Sequence, residues 1–355
     1  MVAIKDVIDL AGSVTTCGSP LDAPRSARDA QVVERLRDAG CSVVGKTNLQ
    51  PWAFGVTSAN PYWGDVQNPA DPSRIPGGSS GGSAVAVAAE MCDWAIGTDT
   101  GGSVRIPAAL CGVVGFKPTN GAIDLSGIVP LAPSLDCVGI LARDVDSTER
   151  AFDVVRSQND DTEREPGLTG RPRLAIPAGW LADLDTPVTE MWQRISDGIE
   201  VVAFPERRSL ARTGMTILLV EAASVHAQRL EEQPWLFPPT VRDAIERGAS
   251  IPHAEYEAAL DARASAMIAA DDAMAGIDAL LLPTVGRTAP RRTEPIRDAD
   301  LTRYTLPFNV TAQPAVSLPV GSGGLPIGME LVGRRGLDRS LISTARAVEH
   351  AWALV

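Results

Sequence analysis

The sequence predicts an α/β protein in which a single mixed sheet lies between helices, and three observations support this fold class. Short apolar runs alternate with helical patterns, first in the order strand, helix, strand at Val2–Ile4, Ala27–Ala39 and Cys41–Val44. Two later runs, Ala315–Val320 and Ile327–Val332, flank a glycine-rich turn and predict a hairpin, which requires antiparallel pairing. Apolar residues make up 45% and charged residues 21% of the 355 residues, which is typical of a globular protein.

The remaining elements are predicted from the same patterns. Small apolar residues at Ala84–Ala89 predict a tightly packed helix, and Trp94–Ile96 predicts a strand. Ser157–Arg171 is polar and acidic, which favours a surface connection, whereas residues 190–215 give no clear pattern. Further strands are predicted at Leu174–Ile176 and Ala279–Leu282, and further helices at Thr216–Leu236, Ala254–Ala275 and Arg339–Ala351.

We find no internal repeat, and we expect one domain over residues 1–355. Within it, residues 1–155 are expected to form the core that carries the site, and residues 156–275 a helical excursion. Residues 276–355 would then complete the core with a sheet segment and a closing helix.

Charge and composition exclude several classes of protein. The chain has 32 Lys and Arg against 44 Asp and Glu, a net charge of −12, which argues against autonomous nucleic-acid binding. No run approaches the ~18 apolar residues of a membrane helix, and an acid at Asp6 comes too early for a signal peptide. Five cysteines without a Cys-x-x-Cys pair and three isolated histidines argue against zinc and a disulfide framework. We therefore expect a cytoplasmic protein with reduced thiols and no metal or organic cofactor.

Lysine is scarce, and this scarcity draws attention to the few positions that have it. Only Lys5, Lys46 and Lys117 are lysines among the 32 basic residues. A desolvated lysine can lose its proton near neutral pH, whereas arginine cannot. Each lysine is therefore a candidate base, although tight packing could also exclude arginine.

Two glycine-rich turns contain serines that could take part in acyl transfer. Ser79 lies in the turn at residues 77–83, and Ser103 follows Gly101 and Gly102 in the turn at residues 97–107. Such a turn can aim N–H groups at an oxyanion, and its serine can attack a carbonyl once a base takes the proton. One helix and one strand fit between the two turns and would return them to the same sheet edge. We therefore predict a proton relay from Ser103 through Ser79 to Lys5.

Other assignments remain open at this stage. Lys46 is a rival base, Ser80 and Ser83 are rivals of Ser79, and Ser83 could instead cap a helix. Asp99 and Arg105 are better read as an ion pair or hydrogen bonds that hold the second turn. Residues 77–81 also fit the Gly-x-Ser-x-Gly elbow, with His350 late in the chain, but the residues before them cannot form the strand that an elbow needs.

The sequence resembles the amidase signature family over nearly its whole length. The motifs that carry the resemblance are Val2-Ala3-Ile4-Lys5-Asp6, Gly45-Lys46-Thr47-Asn48, Pro76-Gly77-Gly78-Ser79-Ser80-Gly81-Gly82-Ser83, Gly97-Thr98-Asp99-Thr100-Gly101-Gly102-Ser103, Ile106-Pro107-Ala108, Gly115-Phe116-Lys117-Pro118-Thr119, Val129-Pro130-Leu131-Ala132-Pro133-Ser134-Leu135-Asp136 and Gly324-Leu325-Pro326-Ile327-Gly328.

The resemblance implies specific site residues. It implies a Ser–Ser–Lys triad in which Lys5 is the base, Ser79 the bridge on a cis peptide bond, and Ser103 the nucleophile. It places the oxyanion hole on the backbone N–H groups of four consecutive residues, namely Thr100, Gly101, Gly102 and Ser103. It also places an acyl pocket near two residues of an earlier turn, namely Ala53 and Phe54.

The resemblance also implies an activity, namely hydrolysis of a small-molecule carboxylic amide through an acyl-serine intermediate. No direct contact with nucleic acid or membrane is expected, and self-association is left open. One alternative is a protein similar to the amide-cleaving subunit of a glutamyl- or aspartyl-tRNA amidotransferase. The family normally has a helical layer before the first motif, whereas here the chain starts four residues before Lys5. If that layer is missing, water at Lys5 would restore its ordinary pKa, so a truncated inactive homologue is a further alternative.

Overall fold

A computed structural model of the chain describes residues 1–157, 170–321 and 324–352. Within these ranges the chain forms a ten-stranded sheet and eleven α-helices. The strands are β1 (Val2–Lys5), β2 (Val43–Thr47), β3 (Trp94–Thr98), β4 (Val114–Lys117), β5 (Val138–Ala142), β6 (Leu174–Pro177), β7 (Glu200–Val202), β8 (Ala279–Pro283), β9 (Ala315–Val320) and β10 (Ile327–Val332). The helices are α1 (Gln31–Asp38), α2 (Gly81–Ala88), α3 (Arg105–Cys111), α4 (Val145–Val155), α5 (Thr186–Ile195), α6 (Arg207–Glu232), α7 (Pro239–Ser250), α8 (His253–Ala273), α9 (Asp298–Thr302), α10 (Leu306–Val310) and α11 (Asp338–Trp352).

The sheet is mixed, as the sequence predicted. Its strand order is β2-β1-β3-β5-β4-β9-β10-β8-β6-β7. The strands β2, β1 and β3 run parallel at one end of the sheet, and β8, β6 and β7 run parallel at the other. The intervening pairs, including the β9–β10 hairpin, are antiparallel.

Helices cover both faces of the sheet, because alternate side chains of a strand point to opposite faces. In β1, Val2 and Ile4 belong to the large core that also holds apolar residues of α1, α4 and α11. Ala3 faces the other way, into a second core formed with α2 and α3. By the same alternation, Lys5 lies on the side of α2 and α3, and each serine turn leads into one of these two helices.

Three parallel strands bring the candidate residues to one edge of the sheet. Lys5 pairs with Thr47 of β2, and Ile4 pairs with Ile96 of β3, so that β1 and β3 both end at this edge. Helix α2 begins at Gly81, directly after Ser79 and Ser80, and α3 begins two residues after Ser103. The β3–α3 turn and the loop before α2 therefore meet at the end of β1.

The hairpin strands β9 and β10 have the predicted boundaries, and β8 includes Pro283 one residue beyond the prediction. Other boundaries differ. The first helix begins at Gln31 rather than Ala27, because Ala30 is extended and its N–H donates to Asp9 O at 3.0 Å. Strand β2 runs from Val43 to Thr47 rather than from Cys41 to Val44, because parallel pairing to β1 extends over Gly45 to Thr47.

The middle of the chain contains elements that the sequence pattern did not reveal. Helix α6 begins at Arg207, nine residues before the predicted start, and the short strand β7 forms the last strand of the sheet. Helix α7, which begins at Pro239, was not predicted, although proline at the first position of a helix is well tolerated. Most of the polar stretch predicted as a surface connection, residues 158–169, lies outside the described residues. No helix in the described ranges is long and apolar enough to span a membrane.

Candidate active site

The amine of Lys5 contacts the hydroxyl of Ser79 at the carboxyl end of β1. The Nζ–Oγ distance is 2.7 Å. Two further oxygens, both from Thr98 at the end of β3, lie near the same nitrogen, with the hydroxyl at 2.8 Å and the carbonyl at 3.4 Å. These three oxygens belong to neutral groups, and no carboxylate of the described residues forms an ion pair with the amine.

Lys5 is completely buried, with 0% of its surface exposed. Burial lowers the pKa of the Lys5 ammonium from 10.5 to about 7, against the opposing effect of the Asp99, Asp136 and Cys17 side chains, which favour the charged form. Lys5 is thus buried as the predicted base role requires, and the exposure of Lys5 to water that the truncated-homologue alternative assumed is not seen. The reason is that β1 lies between β2 and β3, with α2 packed over it.

The first serine turn holds Ser79 in a fully buried position. The Gly78–Ser79 peptide bond is cis, as the resemblance implied. The rival Ser80 uses its hydroxyl to donate to Thr98 O at 3.1 Å. Ser83 lies inside α2 rather than capping it, and its hydroxyl donates to Ile96 O at 3.2 Å. The hydroxyls of Ser80 and Ser83 are thus bound to β3. Of these three serines, only Ser79 forms a hydrogen bond with Lys5.

The second turn presents Ser103, which retains 8% exposure while Lys5 and Ser79 retain none. The two turns are joined through the backbone, because the Ser80 N–H donates to Ser103 O at 3.1 Å. Within the described part of the chain, no hydrogen bond joins the hydroxyls of Ser79 and Ser103. The structure therefore forms the Lys5–Ser79 contact and brings Ser103 into the neighbouring turn.

A buried charged cluster holds the second turn in place. Both carboxylate oxygens of Asp99 accept hydrogen bonds from the Arg105 guanidinium, at 2.8 and 3.0 Å. Arg105 also donates to Glu330 of β10 at 2.7 Å and to the side chain of Asn309 of α10 at 2.7 Å. The predicted ion pair between Asp99 and Arg105 is confirmed, and it is part of a larger network.

We expect Arg105→Ala to lower the free energy of unfolding by about 3–5 kcal/mol, because it leaves Asp99 and Glu330 buried without their cation. Urea denaturation monitored by circular dichroism measures this loss. The control is Arg297→Ala, which removes a solvent-exposed surface pair with Asp300 and should leave the free energy of unfolding nearly unchanged. Equal losses in the two variants would show that the buried cluster does not stabilise the fold.

The oxyanion assignment stays a prediction, and the four N–H groups of the turn differ in what they bind. The Gly102 N–H donates to Asp99 Oδ1 at 2.8 Å, so this donor is already used inside the turn. The N–H groups of Thr100, Gly101 and Ser103 have no hydrogen-bond acceptor among the described residues. The Thr100 hydroxyl donates to Asp136 Oδ1 at 2.6 Å, which fixes the start of the turn. Three of the four expected donors are thus free, and Gly102 is not.

The residues expected to line the acyl pocket lie beside the first serine turn. Ala53 belongs to the 3₁₀ turn Pro51–Ala53 and is buried, and Phe54 follows it and is half-buried. The N–H of Gln50, just before this turn, donates to Ser79 O at 3.2 Å. The structure thus places this segment against Ser79, while the acyl-pocket role of Ala53 and Phe54 stays a prediction.

The rival bases have other partners. Lys46 forms an ion pair with Asp6 at 2.6 Å, which favours a structural role over that of a base. Lys117 is buried and donates to Pro118 O at 2.9 Å. Cys111 is buried, and burial raises the pKa of its thiol, so it is a core residue rather than a nucleophile. His350 lies exposed on α11, and residues 75–80 form no strand, which removes the elbow mechanism.

Several residues around the site were missed by sequence reasoning. Thr305 and Asn309 contact the second turn from more than 200 positions away, and no sequence signal pointed to them. Glu330 could have been noticed, since it is a single charge in an otherwise apolar strand. Across the described ranges, no group of three or more His, Cys, Asp or Glu side chains is arranged to hold a metal ion.

A mixed sheet between helices, with a buried lysine and two serine turns at one edge, defines a class of α/β enzymes with a lysine–serine site. The chain belongs to the amidase family, whose family model, described as Amidase, matches residues 1–342. A Ser–Ser–Lys triad is typical of this family, and the protein is an enzyme that acts on non-peptide carbon–nitrogen bonds. The family resemblance found in the sequence is therefore confirmed.

Individual relatives agree with this assignment. The chain is 36% identical over 400 residues to the A-type subunit of glutamyl-tRNA(Gln) amidotransferase from Natronomonas pharaonis, covering 98% of this chain and 94% of that protein. A crystal structure described as an amidase is 32% identical with a TM-score of 0.92, and the match covers 99% of this chain and 84% of the other. The crystal structure of the corresponding amidotransferase subunit from Thermotoga maritima is 35% identical with a TM-score of 0.83, covering 98% and 82%.

Proposed function

We propose that the protein is a serine amidohydrolase that cleaves a small carboxylic amide into an acid and an amine or ammonia. The observation that carries the proposal is the contact between Lys5 Nζ and Ser79 Oγ at 2.7 Å in a fully buried position. The pKa of Lys5, lowered to about 7 by burial, makes a neutral amine available near neutral pH.

The proposed reaction proceeds through an ester on Ser103. Neutral Lys5 accepts the Ser79 proton while Ser79 takes the proton of Ser103, whose Oγ turns toward Ser79 and attacks the amide carbonyl. The resulting oxyanion is stabilised by the N–H groups of Thr100, Gly101 and Ser103, which have no acceptor among the described residues. The carbon–nitrogen bond then breaks, and the leaving nitrogen receives the proton returned through Ser79. Water then attacks the ester carbonyl while its proton passes through Ser79 to Lys5. The carbon–oxygen bond to Ser103 breaks, the acid leaves, and the proton returns through Ser79 to Ser103.

The experiment that tests this proposal combines product release with trapping of the intermediate. The purified protein is incubated with a panel of aliphatic and aromatic amides and with glutamine, and ammonia is measured. An acid quench followed by intact-mass and peptide analysis should find the acyl group of the active substrate on the peptide that contains Ser103. Ammonia release with an acyl group on another serine would contradict the mechanism.

A second candidate function is that of the A-type subunit of glutamyl-tRNA(Gln) amidotransferase, and the name and 36% identity of the relatives support it. An enzyme of that kind would release ammonia from glutamine in association with partner subunits. Pull-down from the native host followed by a glutaminase assay separates the two candidates. Ammonia release from simple amides by the isolated chain favours the amidohydrolase. Activity that appears only with glutamine and a copurified second chain favours the amidotransferase.

The activity should increase with pH around the pKa of Lys5. Below about pH 7 the amine is protonated and cannot accept the Ser79 proton, so we expect kcat/KM to rise with pH and to level off above an inflection near 7. Burial also raises the pKa of the Glu330 carboxyl to about 7, so this group titrates in the same range. Glu330→Gln is therefore the control, and it should keep the inflection. If the inflection disappears in Glu330→Gln, Lys5 is not its source.

A further inference from the structure

The peptide group between Gly101 and Gly102 is held at both of its ends. Its carbonyl oxygen accepts a hydrogen bond from the Thr305 hydroxyl at 2.7 Å. Its N–H donates to Asp99 Oδ1 at 2.8 Å. Because a peptide group is planar, two hydrogen bonds at opposite ends fix its rotation about the chain axis.

This fixed peptide lies between two of the free N–H groups of the turn. Gly101 and Ser103 flank it, and their N–H groups have no acceptor among the described residues. Gly102 has φ of +126°, a conformation that glycine adopts readily and other residues rarely. Two adjacent glycines allow the peptide between them to rotate easily. Without a partner for the Gly101 carbonyl, this oxygen could turn toward the developing oxyanion and repel it.

Thr305 is itself held rigidly, which suits it to fix another group. It is completely buried and directly precedes α10. Its carbonyl accepts a hydrogen bond from Arg105 Nη1 at 3.0 Å. A Cβ atom built on Gly102 would collide with the Thr305 hydroxyl, so the two residues pack without space between them. Four positions further on, the Asn309 amide donates to Asp99 O at 2.9 Å, which ties the same helix to the turn a second time.

We propose that Thr305 is a positioning residue for the reaction, whose hydroxyl holds the Gly101–Gly102 peptide so that the Gly101 and Ser103 N–H groups stay directed at the oxyanion. The inference rests on the proposed function, because it concerns the same acyl transfer at Ser103. Thr305 acts through the turn and does not touch the substrate. It therefore sets the rate of the chemical step rather than the affinity for the amide.

The test compares the hydroxyl of Thr305 with a second buried threonine hydroxyl at the end of the same helix. Thr305→Val removes the hydroxyl with little change of shape, and Thr305→Ser retains it. Thr311→Val is the matched control, because the Thr311 hydroxyl binds Pro307 O and Gln313 Oε1 and does not reach the turn. We expect Thr305→Val to lower kcat by roughly 10- to 100-fold with KM changed by less than about threefold. Thr305→Ser should restore kcat to within about threefold of wild type.

A readout that a purely structural role would not change is the affinity for a transition-state analogue. A boronic acid or trifluoromethyl ketone that matches the active acyl group should bind Thr305→Val more weakly, by the same factor as the loss in kcat/KM. The product acid, which is not a transition-state analogue, should bind with unchanged affinity. If Thr305→Val does not fold, Thr305→Ala replaces it, since its smaller side chain avoids new contacts. Melting temperature and circular dichroism establish folding for every variant.

The outcomes separate this inference from the function on which it rests. If Thr305→Val retains kcat within threefold of wild type, or if Thr311→Val loses as much, the inference is wrong. It is also wrong if Thr305→Ser fails to restore the rate. The parallel Ser103→Ala variant decides the proposed function itself. Full activity in Ser103→Ala overturns both proposals, whereas an inactive Ser103→Ala with a fully active Thr305→Val overturns only the role of Thr305.

Discussion

Replacing Ser103 with alanine should reduce kcat by roughly 10⁴-fold or more, because the variant has no oxygen to form the acyl ester. This corresponds to about 5 kcal/mol of lost transition-state stabilisation. Stability should change little, because the Ser103 hydroxyl makes no hydrogen bond within the described residues and only its carbonyl is bound to Ser80. The measurement is ammonia release under saturating amide, together with the mass of the protein after an acid quench.

The control for this prediction is Ser250→Ala, which removes an exposed serine at the end of α7 and should leave kcat unchanged. The acyl adduct should be absent from Ser103→Ala and present in Ser250→Ala. Retention of more than a tenth of the wild-type rate by Ser103→Ala would assign the nucleophile elsewhere. Ser79→Ala then becomes the informative variant, because the Ser79 hydroxyl contacts the Lys5 amine.

Replacing Lys5 should have the second largest effect, because Lys46 and Lys117 bind other partners and neither forms a hydrogen bond with Ser79. Lys5→Met keeps the length of the side chain but cannot accept a proton. Lys5→Arg keeps the positive charge, but its guanidinium does not deprotonate and so cannot act as a base. We expect each variant to lower kcat/KM by roughly 10³-fold, within the range measured for general bases. In the residual activity, the inflection near pH 7 should be absent, since the group that causes it has been removed.

Lys46→Arg is the matched control for Lys5→Arg, because its partner Asp6 accepts a guanidinium as well as an ammonium. It should retain the wild-type rate and pH profile. Thermal unfolding of both variants tests whether arginine fits the enclosed site of Lys5. Wild-type activity in Lys5→Met, with the pH inflection intact, would mean that another group removes the serine proton.

Local sequence patterns correctly predicted the elements that are stabilised by residues close to them in the chain. The hairpin β9–β10 has the predicted boundaries because its alternation and its glycine turn are both local signals. Helix α7, which begins at Pro239, was not predicted from the local pattern. Strand β2 was predicted too short because its last residues, Gly45 to Thr47, are extended by pairing with β1 and not by their own propensity.

The candidate site also has features that local motifs predicted and features that depend on residues distant in the chain. The motifs predicted that Lys5 and Ser79 meet, and the described contact at 2.7 Å agrees with that geometry. The scarcity of lysine pointed to Lys5 as a base but could not show whether water reaches it. The structure excludes water from Lys5 through β2, β3 and α2, which are separate stretches of the chain. The catalytic roles themselves stay predictions until the variants are measured.

The sequence by itself determined the family, the mixed sheet and the chemical types of the residues at its edge, because these are properties of short motifs and of their order. The tertiary structure decided which of those groups are dry, paired or free. It buries Lys5, directs the Gly102 N–H to Asp99, and brings Thr305 and Asn309 to a turn some 200 residues earlier in the chain. The physical reason is that desolvation and hydrogen-bond competition depend on every neighbour in space, and most of those neighbours are distant in sequence.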